Sequence, residues 1–245
     1  MQEQKTSPAY YGLLLMILVT FMATVGVFQI KVDYISGNSM SQFFPYEFLM
    51  ALVCIGYWYI FLRIDCPLNL GFGFSKTPIS VSLFLTLALA LVILSLILSR
   101  SIVFKEILPI LGTTFFICIT EEFTFRVAGS QAFHNNGLSQ IKAALLSSLL
   151  FSAFHLVHLF AGADLELMPY QLLNAFIMGV VLTYIYISSK SILVPIAFHT
   201  VWDFMIFLNK SNQIKIQSIL TLLSLTIVII LFLWAILNLY KKPKS

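Results

Sequence analysis

The sequence predicts an all-α, polytopic membrane protein, a bundle of about eight transmembrane helices. Of its 245 residues, 60% are hydrophobic and only 10% are charged, which leaves too little polar surface to cover a water-soluble globule. Apolar runs of about 18 residues or more fill most of the chain. Such runs are typical of spanning helices, because backbone groups in hydrocarbon must form their hydrogen bonds within their own segment.

Turn residues and charges divide the chain into these apolar runs. The connector 63–77 mixes charges with Pro and Gly and is predicted to be a loop, and Asn135-Asn136-Gly137 predicts a turn after the fourth run. No internal repeat or soluble domain is indicated, so residues 1–245 are predicted to form a single membrane domain. The predicted spans lie near 9–30, 44–62, 78–98, 104–125, 143–160, 167–188, 191–208 and 216–240.

The basic residues predict how the chain is oriented. They are scattered between apolar runs and not clustered, which argues against a nucleic-acid partner and leaves the lipid bilayer as the main surroundings. Positive residues near span ends favour the cytoplasm, so a multi-pass protein of the cell membrane with both termini cytoplasmic is predicted. The side that carries the termini holds nine Lys and Arg residues against five: Lys5, Arg63, Lys76, Arg126, Lys142, Lys190, Lys241, Lys242 and Lys244.

Seven ionisable residues lie inside three predicted spans. Such a group at the centre of a span costs about 2.5–3.5 kcal/mol on insertion scales, and its default interpretation is functional. The spacings i,i+3 and i,i+4 give each span a paired polar face. The depths place all three faces in the inner half to the middle of the membrane, so one cavity open to the cytoplasm could contain them. The residues are Glu121, Glu122, Arg126, His155, His158, His199 and Asp203.

This set suits the activation of water. A carboxylate takes the proton of the water, imidazoles act as acid or orienter, and a polar group stabilises the oxyanion. Peptide hydrolysis needs those parts. No Ser or Cys stands in a recognised nucleophile motif, which argues against a covalent mechanism. The odd number of cysteines, with Cys54 and Cys118 in apolar runs, predicts packing roles, and Glu47 is predicted to be a solvated residue at a span end.

Three segments resemble the signature motifs of one family. TEEFTFRVAG at 120–129 matches E-E-x-x-x-R, SSLLFSAFHLVH at 147–158 matches F-x-x-x-H through Phe151 and His155, and SILVPIAFHTVWD at 191–203 matches H-x-x-x-N/D. The chain resembles the CPBP family, the CAAX-prenyl-protease and bacteriocin-processing membrane proteins, also called the Abi family. The resemblance covers residues 112–205, which are the expected catalytic core.

The resemblance implies a helical intramembrane protease with assigned roles. Glu121 is expected to be the general base and His155 its partner. His199 and Asp203 are expected on the electrophilic side, with Glu122 and Arg126 as support. His158 lies outside the motif and is predicted to be a packed or hydrogen-bonded residue.

Position 203 departs from family members that carry Asn. An ionised Asp203 only accepts hydrogen bonds, so it must be protonated, orient His199 or bind a metal. Two His and two carboxylates, Glu121, His155, His199 and Asp203, suit Zn²⁺ in ligand type, but the compact H-E-x-x-H signature is missing. A zinc-dependent and a metal-free, glutamate-dependent mechanism both stay open.

The preferred hypothesis is therefore an intramembrane endopeptidase that acts on a peptide or a membrane-associated protein. A bacteriocin or pheromone-type peptide is preferred over a prenylated protein, because the compact, loop-poor chain looks bacterial. Two other functions stay open: a proton-coupled carrier, since intramembrane carboxylates and histidines also build proton relays, and a non-catalytic scaffold or immunity factor. The sequence indicates no oligomeric state.

Overall fold

The computed structural model describes residues 37–62, 104–161, 163–212 and 217–240, together with isolated helical positions between 17 and 21 and between 82 and 94. Every regular element in these ranges is helical, and they contain no strand, which confirms the predicted all-α class. The α-helices are α1 (Gly37–Tyr57), α2 (Phe104–Glu122), α3 (Gln131–Asn135), α4 (Gln140–Phe154), α5 (Met168–Ser189), α6 (Leu193–Asn212) and α7 (Gln217–Tyr240).

Three helices continue into turns of a different pitch. α1 runs into a π-helical turn at Trp58–Leu62, and α4 tightens into a 3-10 segment at His155–Ala161. Between α2 and α3 lies a π-helical segment, Phe123–Ser130, in which every residue is buried. Widened turns of this kind are frequent at functional sites. Here the segment follows Glu122 directly and contains Arg126.

The helices fit the predicted membrane spans. Four stretches are long and apolar enough to cross a bilayer, and two shorter apolar helices follow, which agrees with a multi-pass membrane protein. The predicted spans 9–30 and 78–98 lie almost wholly outside the described residues. The four long stretches are Met40–Ile60, Ile107–Asn135, Gln140–Phe160 and Met168–Ser189, and the shorter ones are Leu193–Leu208 and Leu225–Tyr240.

The second predicted span and the fourth run in the same direction. Along α1 and α2 the contacts advance together: the Thr113 hydroxyl donates to the Met40 carbonyl at 2.7 Å, and further along the Cys54 Sγ lies 3.9 Å from the Thr124 Oγ1. This parallel packing agrees with spans that alternate in direction along the chain. It also places the last turns of α1 beside the end of α2, where the polar residues begin.

α6 runs antiparallel to α2, and this pairing builds the site. His199, near the start of α6, contacts Glu122 at the end of α2, whereas Asp203, one turn later, lies with Cys118, one turn earlier in α2. α4 and α5 are likewise antiparallel, since the Ser152 hydroxyl donates to the Leu172 carbonyl at 2.7 Å and the earlier Ser148 lies against the later Gly179. All three motif-bearing segments therefore meet in one bundle.

Gly179 is where α5 passes closest to α4. A Cβ at this position would lie 2.9 Å from the Ser148 Cβ and 3.0 Å from its Cα, closer than carbon atoms approach in packed interiors. We expect Gly179→Ala to force the two helices apart and to destabilise the protein by about 1–3 kcal/mol. Gly56→Ala is the matched control, because nothing lies within 4 Å of its added Cβ. Thermal unfolding in detergent measures both, and equal melting temperatures would contradict the close packing.

Candidate active site

The end of α2 and the π-helical segment after it carry the first motif. Hydroxyl groups bind carbonyls along this segment: the Ser147 hydroxyl of α4 donates to the Phe125 carbonyl, and the Ser130 hydroxyl donates to the Arg126 carbonyl at 2.6 Å. These bonds satisfy carbonyl groups in the widened turns, where the regular α-helical ladder is interrupted. The segment is thereby fixed against α4, which carries the second motif.

Glu122 and Arg126 form a fully buried ion pair. The Arg126 Nε donates to the Glu122 Oε2 at 3.1 Å, and both side chains have 0% of their surface exposed. The guanidinium carbon lies 4.6 Å from the ring centroid of Phe151, within cation–π distance. Neither Nη nitrogen has a hydrogen-bond partner in the described part of the chain. Arg126 is therefore a constituent of the site's interior and does not extend to the membrane surface.

His199 joins the first motif to the third. Its Nδ1 lies 3.0 Å from the Glu122 Oε1, and its Nε2 lies 3.6 Å from the Glu121 Oε2 and 3.5 Å from the Asp203 Oδ2. The carboxylate of Glu122 pairs with the Arg126 guanidinium and has no proton to donate. In its contact with His199 it therefore accepts, and the Nδ1 carries the hydrogen. The Nε2 faces two carboxylates, with a lone pair when His199 is neutral and with an N–H when it is protonated.

Phe151 separates His199 from the second histidine of the site. The ring centroid of Phe151 lies 4.8 Å from that of His155 and 5.9 Å from that of His199, with an edge-to-face arrangement in both cases. The His155 Nδ1 donates to the Phe151 carbonyl at 2.9 Å, which leaves its Nε2 as the proton acceptor. The second motif thus supplies a half-buried imidazole whose Nε2 has no hydrogen-bond partner among the described residues.

His158 has the structural surroundings predicted for it. The Gln171 side-chain amide of α5 donates to its Nδ1, and its ring centroid lies 5.3 Å from that of His155. It therefore packs beside His155 and is bound to α5.

The role of Cys118 and the depth of Glu47 were not predicted. Cys118 is fully buried, and its Sγ, the His199 imidazole and an Asp203 carboxylate oxygen all lie within 4.8 Å of one another. Glu47 lies seven residues inside the apolar stretch Met40–Ile60 and is half-buried, so it is not at the span end where it was predicted. The spacing held a signal for Cys118, since it stands i,i+4 with Glu122 and so shares its helix face. For Glu47 the signal was missing, because the start of α1 was placed too late.

One comparison with known proteins, a match to a protein family, agrees with this geometry. Residues 103–205 match a family described as "Type II CAAX prenyl endopeptidase Rce1-like". This segment is Rce1-like. The match confirms the resemblance inferred from the three motifs and supports a CAAX-type intramembrane endopeptidase, and hence a hydrolase. No curated protein and no solved structure matches the chain.

The Rce1-like segment contains the three motifs, and the contact between Glu122 and His199 joins the first motif to the third. Within it, the structure brings Glu121, Glu122, His199 and Asp203 into direct contact and places His155 behind the ring of Phe151. A base, a second imidazole and an ordered acid–imidazole pair are the parts that water activation needs. The catalytic roles of the individual residues stay predictions.

Proposed function

We propose that this protein is an intramembrane endopeptidase that hydrolyses a peptide bond with a water molecule activated by Glu121. The observation that carries the proposal is the convergence of Glu121 and His199, with 3.6 Å between the Oε2 and the Nε2, inside a bundle of apolar helices. Buried ionisable groups are costly in a bilayer, so several of them placed together indicate a functional site. The family match supports the same reaction class.

Glu121 and His155 divide the proton transfers in this proposal. Part of the Glu121 side chain, 13%, is exposed, and so is 22% of the neighbouring Asp203 side chain. A water molecule can therefore reach Glu121, which takes its proton as the water attacks the carbonyl. His155, with its Nε2 free, accepts or returns a proton on the same side as Phe151.

His199 and Asp203 form the electrophilic side. An oxyanion needs a positive or donating group, yet the Nε2 of a neutral His199 donates nothing while its Nδ1 bonds to Glu122. Asp203, ionised, also only accepts. The positive charge must therefore come from a protonated His199 or from a cation bound next to its Nε2. Glu122 and Arg126 fix the imidazole in either case.

The proposed substrate is a short peptide, of the bacteriocin or pheromone type, or the tail of a membrane-associated protein. We propose that it enters from the cytoplasm and that both termini of the chain are cytoplasmic. The basic residues support this orientation, and the parallel packing of α1 and α2 agrees with the alternating spans on which it depends.

Mass spectrometry of peptide mixtures tests the proposal. Purified protein in liposomes is incubated with a diverse peptide set, and the new termini are compared with those made by Glu121→Gln. We expect termini that only the wild-type protein produces. Cleavage by neither protein, with both folded and inserted, would contradict the endopeptidase and favour a carrier or a scaffold.

A further inference from the structure

We propose that Cys118, His199 and Asp203 form a binding site for a divalent metal of the zinc type. The donor atoms of these three side chains, one from each, lie within 4.8 Å of one another. Cys118 and His199 are buried, and Asp203 is half-buried. The inference rests on the proposed function and deepens it, because it identifies the positive group on the electrophilic side. It departs from the sequence-based ligand set by adding Cys118 and leaving out His155.

The distances from the His199 Nε2 to the two carboxylates fit an ion better than a hydrogen bond. The His199 Nε2 lies 3.5 Å from the Asp203 Oδ2 and 3.6 Å from the Glu121 Oε2. An N–H···O bond spans about 2.7–3.2 Å, so both contacts are longer than a typical bond. Donor atoms around a tetrahedral zinc ion, at about 2.0–2.3 Å from it, lie about 3.3–3.8 Å apart. The distance from the Nε2 to Asp203 falls in that range. The distance to Glu121 does so too, but Glu121 is not grouped with Cys118 and Asp203.

The surroundings of His199 match those of a metal-binding histidine. Such a residue almost always donates its other ring N–H to a carboxylate or carbonyl, which fixes the tautomer and orients the ring. His199 does so through its Nδ1 to Glu122 at 3.0 Å, and Glu122 is itself bound by Arg126 at 3.1 Å. The lone pair of the Nε2 is thereby aimed at Cys118 and Asp203.

Charge balance supports a divalent ion. A thiolate from Cys118 and a carboxylate from Asp203 carry two negative charges, and a neutral His199 carries none, so one divalent cation makes the set neutral. Without the ion, a protonated His199 would have to offset these negative charges in a medium that solvates charge poorly. The pairing of Glu122 with Arg126 leaves no cation from that motif for this set.

The ligand types favour zinc. Sulfur, imidazole and carboxylate in tetrahedral arrangement are its usual ligands, and catalytic sites have three protein ligands with a fourth position open. When bound, the ion would supply the charge that polarises the scissile carbonyl. Glu121 would remain free as the base, since it contacts His199 but is not one of the three grouped residues.

Cobalt titration tests the site without measuring activity. Protein purified in detergent and freed of metal with a chelator is titrated with Co²⁺, whose absorption reports tetrahedral geometry and thiolate ligation. We expect one equivalent to bind, a thiolate-to-cobalt charge-transfer band to appear, and Zn²⁺ to displace the cobalt. Metal analysis after dialysis gives the stoichiometry of Zn²⁺ itself.

Matched cysteine variants assign the band. Cys118→Ser should lose the charge-transfer band, whereas Cys54→Ser should keep it, because Cys54 is equally buried but lies beside Thr124. Asp203→Asn is a second, conservative variant, and we expect it to weaken binding by more than the roughly 10–100-fold typical of outer-shell changes. Unchanged thermal unfolding of each apo-variant shows that folding is not the cause.

The outcomes separate this site from the proposed function. Binding of less than one equivalent, or a band that persists in Cys118→Ser, would overturn the site. Peptide cleavage by metal-free protein would overturn it too and leave the endopeptidase standing. Stoichiometric binding that Cys118→Ser and Asp203→Asn both weaken would establish the site, even where no peptide is cleaved and the proposed function fails.

Discussion

Glu121→Gln is expected to reduce peptide cleavage by about 10²–10⁴-fold, the usual contribution of a general base. The amide is similar in size to the carboxylate but cannot take a proton from water. Its contact with the His199 Nε2, 3.6 Å in the wild-type protein, is too long to hold the fold together, so insertion and thermal stability should change little. Initial rates on one peptide, with protein amounts matched in liposomes, give the ratio.

Glu166→Gln is the matched control for this prediction. Glu166 also lies in the Rce1-like segment, but its side chain is exposed in the turn before α5. The same chemical change there should leave the rate within about twofold of the wild type, because exposed substitutions away from a site usually have small effects. Equal rates for both variants and the wild type would remove Glu121 from the mechanism.

His155→Ala is expected to lower the rate over a similar range if His155 is the partner of Glu121. Its ring contacts Phe151 and His158 and is half-buried, so some loss of packing accompanies the change. His158→Ala controls for that loss, since His158 is also half-buried and is bound to Gln171. A rate that falls equally in both variants, with equal melting temperatures, would argue against a separate catalytic role for His155.

Local patterns were enough to predict most of the fold and the motif residues. Apolar runs must form helices in lipid, so the four described spans and the two shorter apolar helices could be predicted directly. The i,i+4 spacing of Glu122 with Arg126 predicts their pairing, because such residues share a helix face. The turn at 135–137 was also predictable, since Gly137 adopts a φ of +90° that favours glycine.

Contacts between helices could not be predicted in the same way. Periodicity gives the face of each helix but not the neighbour that it meets, so the placement of Phe151 between two histidines was not expected. From the sequence, Cys118 is predicted to be an apolar packing residue. Only the structure shows that α6 places His199 and Asp203 beside it. The π-helical segment Phe123–Ser130 could not be predicted either. One of its carbonyls accepts a hydrogen bond from a hydroxyl group of another helix, that of Ser147, and the local sequence does not indicate such a partner.

Arg126→Ala is expected to destabilise the protein by about 3–5 kcal/mol, the usual cost of removing one partner of a buried ion pair. Glu122 would keep its charge with 0% of its side chain exposed and would lose the Nε donor at 3.1 Å. The cation above the ring of Phe151 would also be lost. Since Glu122 orients His199, the rate of any remaining folded protein should fall as well.

Lys142→Ala is the control, because Lys142 is an exposed cation on α4 and its removal should change stability by no more than about 0.5 kcal/mol. Unfolding in detergent, followed by the loss of helical signal, compares the three proteins. An Arg126→Ala variant that melts with the wild type would mean that Arg126 serves the membrane orientation alone and that the buried pair contributes nothing. A large loss of stability in Arg126→Ala alone would instead show that the buried Glu122 carboxylate needs the guanidinium. The same pairing holds Glu122 in place to orient His199, whose Nε2 then faces Asp203.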